Sequence, residues 1–323
     1  MLDLNKLRPL DRLNILGLIA IATTALIFHS RIPFAAGIVT ANCAMSLGIL
    51  LLANFDSRRE NVFLKFIARW YTIPMIFVTF KELYLMAHPI NPNDMDYLLI
   101  KIDRVIFGVD PTSFLDRIAT PGLTEFLQIC YSSFYILWIL LGIDLLWNRN
   151  EKGFLFFLFT LMYGFYASYV GYLLVPAIGP RFTLYNFANL NRDLPGLYLT
   201  TFLRNIINSG ESITSVAQAA LLAQRDCFPS GHTEMTIITI AIAIKYKAKS
   251  VMVIAPLGFG LIFATVYMRY HYGIDVIAGI IFGVFVLSTA KWLESIMSGN
   301  KLEEEITSKY LCRIDKKDEI FSK

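Results

Sequence analysis

The sequence predicts an all-α fold, a polytopic integral membrane bundle of about eight transmembrane helices. Two observations predict it. The chain of 323 residues is 56% hydrophobic and only 17% charged, whereas soluble domains are nearer half apolar and a quarter charged. The apolar residues also fall into blocks of about 20, which is long enough to cross a hydrocarbon core of roughly 30 Å.

Each apolar block should form a helix, because backbone groups in lipid must be hydrogen-bonded within their own segment. The third block contains the charged residues Lys65, Arg69, Lys81 and Glu82, so Arg69 needs a protein-facing or interfacial position. The sixth block is short. The predicted spans cover residues 12–30, 33–54, 63–87, 124–147, 153–176, 232–247, 250–269 and 272–295.

The positive charges of the connectors predict the orientation. The short connectors on the far side from the N-terminus offer only Arg31 and Arg269. Because cytoplasmic connectors carry the excess of Lys and Arg, both termini are predicted to be cytoplasmic. The N-terminal side carries Lys6, Arg8, Arg12, Arg58, Arg59, Arg149, Lys152, Lys245, Lys247, Lys249, Lys301, Lys309, Arg313, Lys316 and Lys317.

Two long connectors are predicted on the opposite side. In the first, residues 88–122, Leu98, Ile102, Val105 and Ile106 recur at helical spacing and predict a short interfacial helix.

The second long connector, residues 177–231, begins with Gly179-Pro180-Arg181 and ends in the run Pro229-Ser230-Gly231-His232. Short helices are expected near 199–208 and 213–224.

Two of the four histidines stand at predicted span ends. His232 opens the sixth span, and His271 lies between the seventh and the eighth. Arg181 follows the fifth span. Because each span carries the chain across the bilayer, these three points should return to one surface.

The residue types at these points suit phosphate chemistry. Asp275 follows His271 by four positions, so on a helix the two share a face. A carboxylate there can hold one ring N–H and leave the other nitrogen free to attack. Arg181 and Arg269 offer planar forks that match phosphate oxygens.

The Pro-Ser-Gly-His run adds two further functions. Ser230 and Gly231 precede a helix start, where backbone N–H groups and the helix dipole favour an anion. His232 can protonate a leaving oxygen. Each motif alone is weak, since a histidine at a span end is usually interfacial and Pro-Ser-Gly is often a turn. Together, on one face, they predict a phosphate site.

Other classes of protein are not expected. The four cysteines, Cys43, Cys130, Cys227 and Cys312, have neither metal-like spacing nor a disulfide pattern. The net charge of +4 comes without a basic stripe interleaved with aromatic residues, so a nucleic-acid partner is not expected.

These motifs resemble a known family. The runs 179–181 and 229–232 and the pair His271 and Asp275 resemble the three-part signature of the type 2 phosphatidic-acid phosphatase superfamily. The runs 103–111 and 271–279 resemble its branch that includes inositol phosphorylceramide synthase. The resemblance covers roughly residues 90–290.

The resemblance implies a phosphatase-like core of six membrane helices, no metal, no cofactor and a phosphohistidine intermediate. It implies His271 as the nucleophile, Asp275 as the residue that orients it, and His232 as the general acid. It implies that phosphate is bound by Arg181, Ser230, Gly231 and Arg269.

The sequence departs from the family pattern at two positions. Leu174 stands where the family often has a lysine, seven residues before Arg181. Thr265 stands where an arginine usually precedes the nucleophile by six residues, and Arg269 is the only nearby replacement. On an ideal helix Arg269 and His271 point in nearly opposite directions, so Arg269 can serve only if the helix is broken there.

Three parts are expected along the chain: N-terminal transmembrane helices in 1–60, a phosphatase-like catalytic domain in 61–295, and a polar cytoplasmic tail in 296–323. The leading prediction is hydrolysis of a lipid phosphate ester at the extracytoplasmic face. One alternative is a phosphotransferase that moves a phospho-headgroup, such as inositol phosphate, onto a lipid. Another is a non-catalytic lipid-binding or transport protein. The sequence leaves the oligomeric state and the lipid open.

Overall fold

In a computed structural model, residues 3–55, 61–213 and 215–299 are described. Their regular structure is entirely helical, which confirms the all-α prediction. Arg58, Arg59 and the predicted tail from residue 300 onward lie outside the described residues.

The α-helices of the described residues differ widely in length, from 4 to 26 residues. In chain order they are α1 (Pro9–Ile27), α2 (Ala35–Asn54), α3 (Val62–Trp70), α4 (Thr72–Ile90), α5 (Asp96–Phe107), α6 (Pro111–Leu115), α7 (Pro121–Ser132), α8 (Phe134–Trp147), α9 (Glu151–Leu174), α10 (Pro180–Thr183), α11 (Leu190–Asp193), α12 (Thr200–Gly210), α13 (Ala219–Leu222), α14 (Gly231–Lys245), α15 (Val251–Tyr267) and α16 (Gly273–Ser298).

The chain is an integral membrane protein. Within the described ranges, helices α1, α2, α9 and α16 are long and apolar enough to cross a bilayer, and the number rises to six if each of the bent pairs α3–α4 and α7–α8 is one span. Helices α14 and α15, at the other two predicted positions, have only 15 and 17 residues. At about 1.5 Å per residue they are shorter than the hydrocarbon core is thick.

The third predicted span is therefore two helices that meet at 45°. Pro74 has no N–H to donate to the carbonyl four residues earlier, at Trp70, so the helical ladder is interrupted between α3 and α4. Arg69 ends up half-exposed and pairs with Glu151 at 3.1 Å. A half-exposed position with a carboxylate partner suits its charge.

Helix α9 forms the middle of the bundle. Phe154, Phe157 and Phe159 on it are fully buried, and it packs against α1, α4, α8, α14 and α16. Helix α14 packs in turn against α15 and α16. These contacts bring the end of α9, the start of α14 and the α15–α16 connection to the same end of the bundle.

Helix α5 confirms the helix predicted in the first long connector. Its Val105 and Ile106 are exposed, whereas Asp96 and Asp103 on the opposite face are buried. The apolar stripe thus faces outward, as suits a helix at a membrane surface. The acidic face is the one that packs on the protein.

Candidate active site

The two motif histidines are neighbours. His232 is the second residue of α14, and His271 lies in the connection between α15 and α16. Nε2 of His271 is 3.4 Å from Nδ1 of His232. His271 is buried and His232 is half-buried, so the pair lies just beneath the protein surface.

The other ring nitrogen of His271 is anchored by the backbone. Nδ1 is 2.9 Å from the carbonyl oxygen of Cys227 and 3.6 Å from a carboxylate oxygen of Asp275. A carbonyl can only accept, so this contact places the proton of the neutral ring on Nδ1. The lone pair of Nε2 then points toward His232.

Asp275 links the third motif to the second. Its buried carboxylate accepts hydrogen bonds from the backbone N–H of Tyr272, at 2.7 Å, and from the Cys227 thiol, at 2.9 Å. Its backbone carbonyl accepts the N–H of Ser230 at 3.0 Å. Burial holds the pKa of Cys227 well above its ordinary value, so the sulfur keeps the proton that it donates.

The helix is broken before His271. The sequence predicts that Arg269 can act beside His271 only with such a break. Helix α15 ends at Tyr267, Arg269 has a left-handed φ of 67°, and the N–H groups of Tyr270 and His271 both bond to the carbonyl of Thr265. This tight turn directs the imidazole toward α14.

The guanidinium of Arg269 is already paired. It bonds to Asp116 at 3.0 Å and to Asp193 at 3.3 Å, and it lies 3.5 Å from the ring centre of Tyr185. The backbone carbonyl of Arg269 accepts the N–H of Arg181 at 2.9 Å. Arg269 therefore joins the first and third motifs through its backbone, while its fork is held by carboxylates.

Arg181 has unused donors. Its guanidinium is buried, and Nη2 bonds to the carboxylate of Glu211. Nε and Nη1 are buried, and neither has a hydrogen-bond partner within the described part of the chain. A buried cation with two free donors is strongly favourable for an anion such as phosphate.

Aromatic rings connect this arginine to the general-acid candidate. The Arg181 guanidinium lies 4.5 Å from the ring centre of Tyr270. Tyr270 stacks on Tyr131 with centres 4.3 Å apart, and Tyr131 stacks on His232 at 4.7 Å. The stack fixes the plane of the His232 imidazole relative to Arg181.

The Pro-Ser-Gly run caps the N-terminus of α14 and packs against α9. The Ser230 hydroxyl accepts the N–H of Thr233 at 3.3 Å and caps α14. A side chain at Gly231 would meet the hydroxyl of Tyr172 at 2.3 Å, so only glycine fits. The start of α14 therefore lies tightly against α9, with its first N–H groups beside His232.

Two aspartates of α5, which sequence reasoning missed, hold the site together. Asp96 accepts hydrogen bonds from the N–H groups of Ile178, at 3.1 Å, and Gly179, at 2.8 Å. Asp103 accepts those of Gly273, at 2.8 Å, and Ile274, at 2.7 Å. Burial raises the pKa of both carboxyls, that of Asp103 to about 6. The seven-residue spacing of these acids was the available signal.

Sequence reasoning also missed Glu211 and Asp226. Both come from the second long connector, where no periodicity indicates a role. The pKa of Asp226 is raised to about 6, chiefly by burial and also by the charge of Glu211, while His271 and Arg181 act in the opposite direction. Asp226 is thus an electrostatic neighbour of the site.

One cluster of the site has metal-like spacing. The Cys227 sulfur, the His271 Nδ1 and an Asp275 oxygen lie within 4.8 Å of one another. The same atoms take part in the hydrogen bonds described above.

Comparison with known proteins gives the family. Residues 98–289, more than half of the chain, match the PAP2 superfamily. The chain is also 25% identical over 234 residues to a PA-phosphatase related-family protein of Dictyostelium discoideum. That alignment covers 59% of this chain but only 39% of the relative, so the chain spans about two fifths of the relative's length.

No solved structure matches the chain. The resemblance to the inositol phosphorylceramide synthase branch is tested by neither match and stays a prediction. The broader resemblance is confirmed, and the chain belongs to the PAP2 superfamily.

Proposed function

We propose that the protein is a membrane phosphatase that hydrolyses a lipid phosphate ester through a phosphohistidine on His271. The observation that carries the proposal is the contact between Nε2 of His271 and Nδ1 of His232, with Nδ1 of His271 held by the Cys227 carbonyl. One nitrogen is free to attack, and a second imidazole is within reach of the same phosphoryl group.

The reaction has two steps. Nε2 of His271 forms a bond to phosphorus while the bond to the lipid oxygen breaks, and His232 gives that oxygen its proton. Neutral His232 then takes a proton from water, whose oxygen attacks phosphorus and releases inorganic phosphate and free His271. Each histidine ends in its starting state.

Phosphate binding falls mainly to Arg181 in this proposal. Its buried Nε and Nη1 supply two donors, and the N–H groups at Ser230 and Gly231 add the positive end of the helix dipole of α14. Arg269 can add its fork only after Asp116 or Asp193 releases it. Replacing Arg269 by Met should therefore raise KM less than replacing Arg181 by Met.

The decisive experiment uses purified protein in lipid nanodiscs with a short-chain phosphatidic acid. His271→Ala should abolish phosphate release, and radiolabelled wild-type protein should carry an acid-labile phosphate that the variant lacks. His88→Ala, at an exposed histidine of α4, is the matched control. Full turnover in His271→Ala would overturn the proposal.

The same preparation tests the transfer alternative. An added acceptor alcohol should leave free phosphate as the main product of a phosphatase. A new phosphorylated alcohol in place of free phosphate would instead identify a phosphotransferase.

The two-histidine mechanism also predicts a bell-shaped dependence of kcat/KM on pH, since one ring must be neutral and the other protonated. A flat profile between about pH 4 and 9 would contradict it.

The site is proposed to face the extracytoplasmic side, with both termini in the cytoplasm. The basic connectors on the N-terminal side of the spans support this orientation. A cysteine introduced at exposed Asn93, beside α5, should react with a membrane-impermeant maleimide added to intact cells. Labelling only after lysis would reverse the orientation.

A further inference from the structure

The proposed phosphate arginine already holds an anion. Glu211 directly follows α12, and its carboxylate bonds to Nη2 of Arg181. The side chain of Arg181 is 6% exposed and that of Glu211 is 18% exposed, so the pair is largely shielded from water. A buried guanidinium requires a counter-charge, and in the absence of phosphate Glu211 supplies it.

Lys81 of α4 holds the same turn from the other side. Its ammonium donates to the carbonyl of Gly210 and to the hydroxyl of Ser212, the latter at 3.0 Å. It also interacts electrostatically with Glu211 and Asp226. The residues on both sides of Glu211 are therefore bound to Lys81, while Glu211 itself is bound to Arg181.

The turn has a conformation that needs such support. Ser212 has a left-handed φ of 65°, which is unfavourable for a residue with a side chain. Its N–H bonds to the carbonyl of Ser209 at 3.1 Å. The backbone of 210–212 is thus kept close to Lys81, and the Lys81 ammonium lies within electrostatic range of the Glu211 carboxylate.

We propose that Glu211 competes with phosphate for the positive charge of Arg181, and that Lys81 receives the Glu211 carboxylate when phosphate binds. This inference rests on the proposed function, because it assigns the Arg181 site to the phosphate of the substrate. A phosphate on Nε and Nη1 of Arg181 would stand beside the Glu211 carboxylate on Nη2, and the repulsion between these like charges favours moving the carboxylate to Lys81. The exchange keeps every charge paired: phosphate with Arg181, and Glu211 with Lys81.

The proposed exchange predicts whether each substitution raises or lowers KM. Glu211→Gln removes the competing charge and should lower KM, whereas Lys81→Met removes the receiving charge and should raise KM. Both changes should be roughly 5- to 30-fold, a usual size for coupling between two sites, with kcat nearly unchanged. Lys81→Arg keeps the charge and should behave like wild type.

The double variant Glu211→Gln/Lys81→Met is the critical one. Without a carboxylate to receive, Lys81 no longer affects the binding of phosphate to Arg181, so its replacement should no longer raise KM. Lys101→Met, at an exposed lysine of α5, is the matched control for loss of a lysine. Thermal unfolding of each variant shows that it is folded.

Binding should be measured apart from turnover, by the stabilisation that inorganic phosphate and a short-chain lipid phosphate give against thermal unfolding. Shifts of affinity with both ligands identify phosphate itself as the anion, and shifts with the lipid alone identify the lipid headgroup. The proposal is wrong if neither ligand responds to Glu211→Gln, or if Lys81→Met weakens binding equally in both backgrounds. Since these readouts need no turnover, their failure is distinct from retained activity in His271→Ala.

Discussion

Nδ1 of His271 donates to the backbone carbonyl oxygen of Cys227 across 2.9 Å. The carboxylate of Asp275 is farther away, at 3.6 Å, and is itself engaged by the Tyr272 N–H and the Cys227 thiol. The main-chain carbonyl of Cys227 therefore sets the tautomer of His271. The Asp275 carboxylate lies beside the ring as a buried group and caps the start of α16.

The first prediction concerns Asp275→Asn. Because the Cys227 carbonyl still selects the tautomer, the variant should lose only the charge effect, about 10- to 100-fold in kcat, the size of one charged hydrogen bond. His271→Ala should lose far more. Steady-state kinetics on both variants checks this, and equal inactivity of the two would mean that the carboxylate alone activates the ring.

The second prediction concerns the anchor on α5. Asp103→Ala removes the acceptor of the Gly273 and Ile274 N–H groups and leaves them buried, which should cost about 2–4 kcal/mol of stability. Asp110→Ala breaks only the ion pair with exposed Arg104 and should cost far less, because water screens an exposed pair. Denaturation of both variants in detergent measures the difference in stability. Equal losses of stability would show that Asp103 does not anchor the start of α16.

The third prediction is a pH dependence of stability. The pKa of Asp226 in the folded protein is about 6, raised chiefly by burial. Between about pH 4 and 6 the folded protein keeps a proton that the unfolded chain has released, so this group destabilises the fold increasingly as pH rises. Asp226→Asn should therefore gain stability over wild type through that window, by about 1–3 kcal/mol, and keep a constant gain above it.

Unfolding midpoints of wild type and Asp226→Asn at pH 4.5, 6 and 8 test this prediction. The difference between the two proteins is the quantity to follow, because Asp103 titrates in the same range. A gain that shrinks as pH rises would contradict the assignment.

The fourth prediction concerns Gly179 in the first motif. Its φ of 95° is unfavourable for other residues, and an added Cβ would lie 2.6 Å from the carbonyl oxygen of Tyr270. Gly179→Ala should displace the turn that carries Arg181 and lower kcat/KM by more than about tenfold, since small displacements of a positioning residue are expensive in rate. Gly48→Ala in α2, where the Cβ meets nothing within 4 Å, should leave activity unchanged.

Much of the fold follows from the sequence because lipid leaves few choices. Apolar blocks must be helical, and the helices occur at the predicted positions, including the interfacial α5. Hydropathy does not predict the break at Tyr71, which arises from Pro74. The shortness of α14 is as predicted, and the helix begins within the motif, at Gly231.

The site was only partly predictable for a related reason. Local motifs identify His232, His271 and Arg181. The order of the predicted spans is enough to predict that these three residues lie near one another. Asp103 and Glu211 act through contacts with residues distant in sequence, at separations of 170 and 30 positions, and no local pattern records such partners. The pairing of Arg269 with Asp116 is likewise invisible without coordinates.

Lys81 lies on α4, whereas the family match begins only at residue 98. Under the proposed exchange, a residue that tunes phosphate affinity thus stands outside the segment that carries the histidines. A substitution in α4 would then change affinity while His232 and His271 stay as they are.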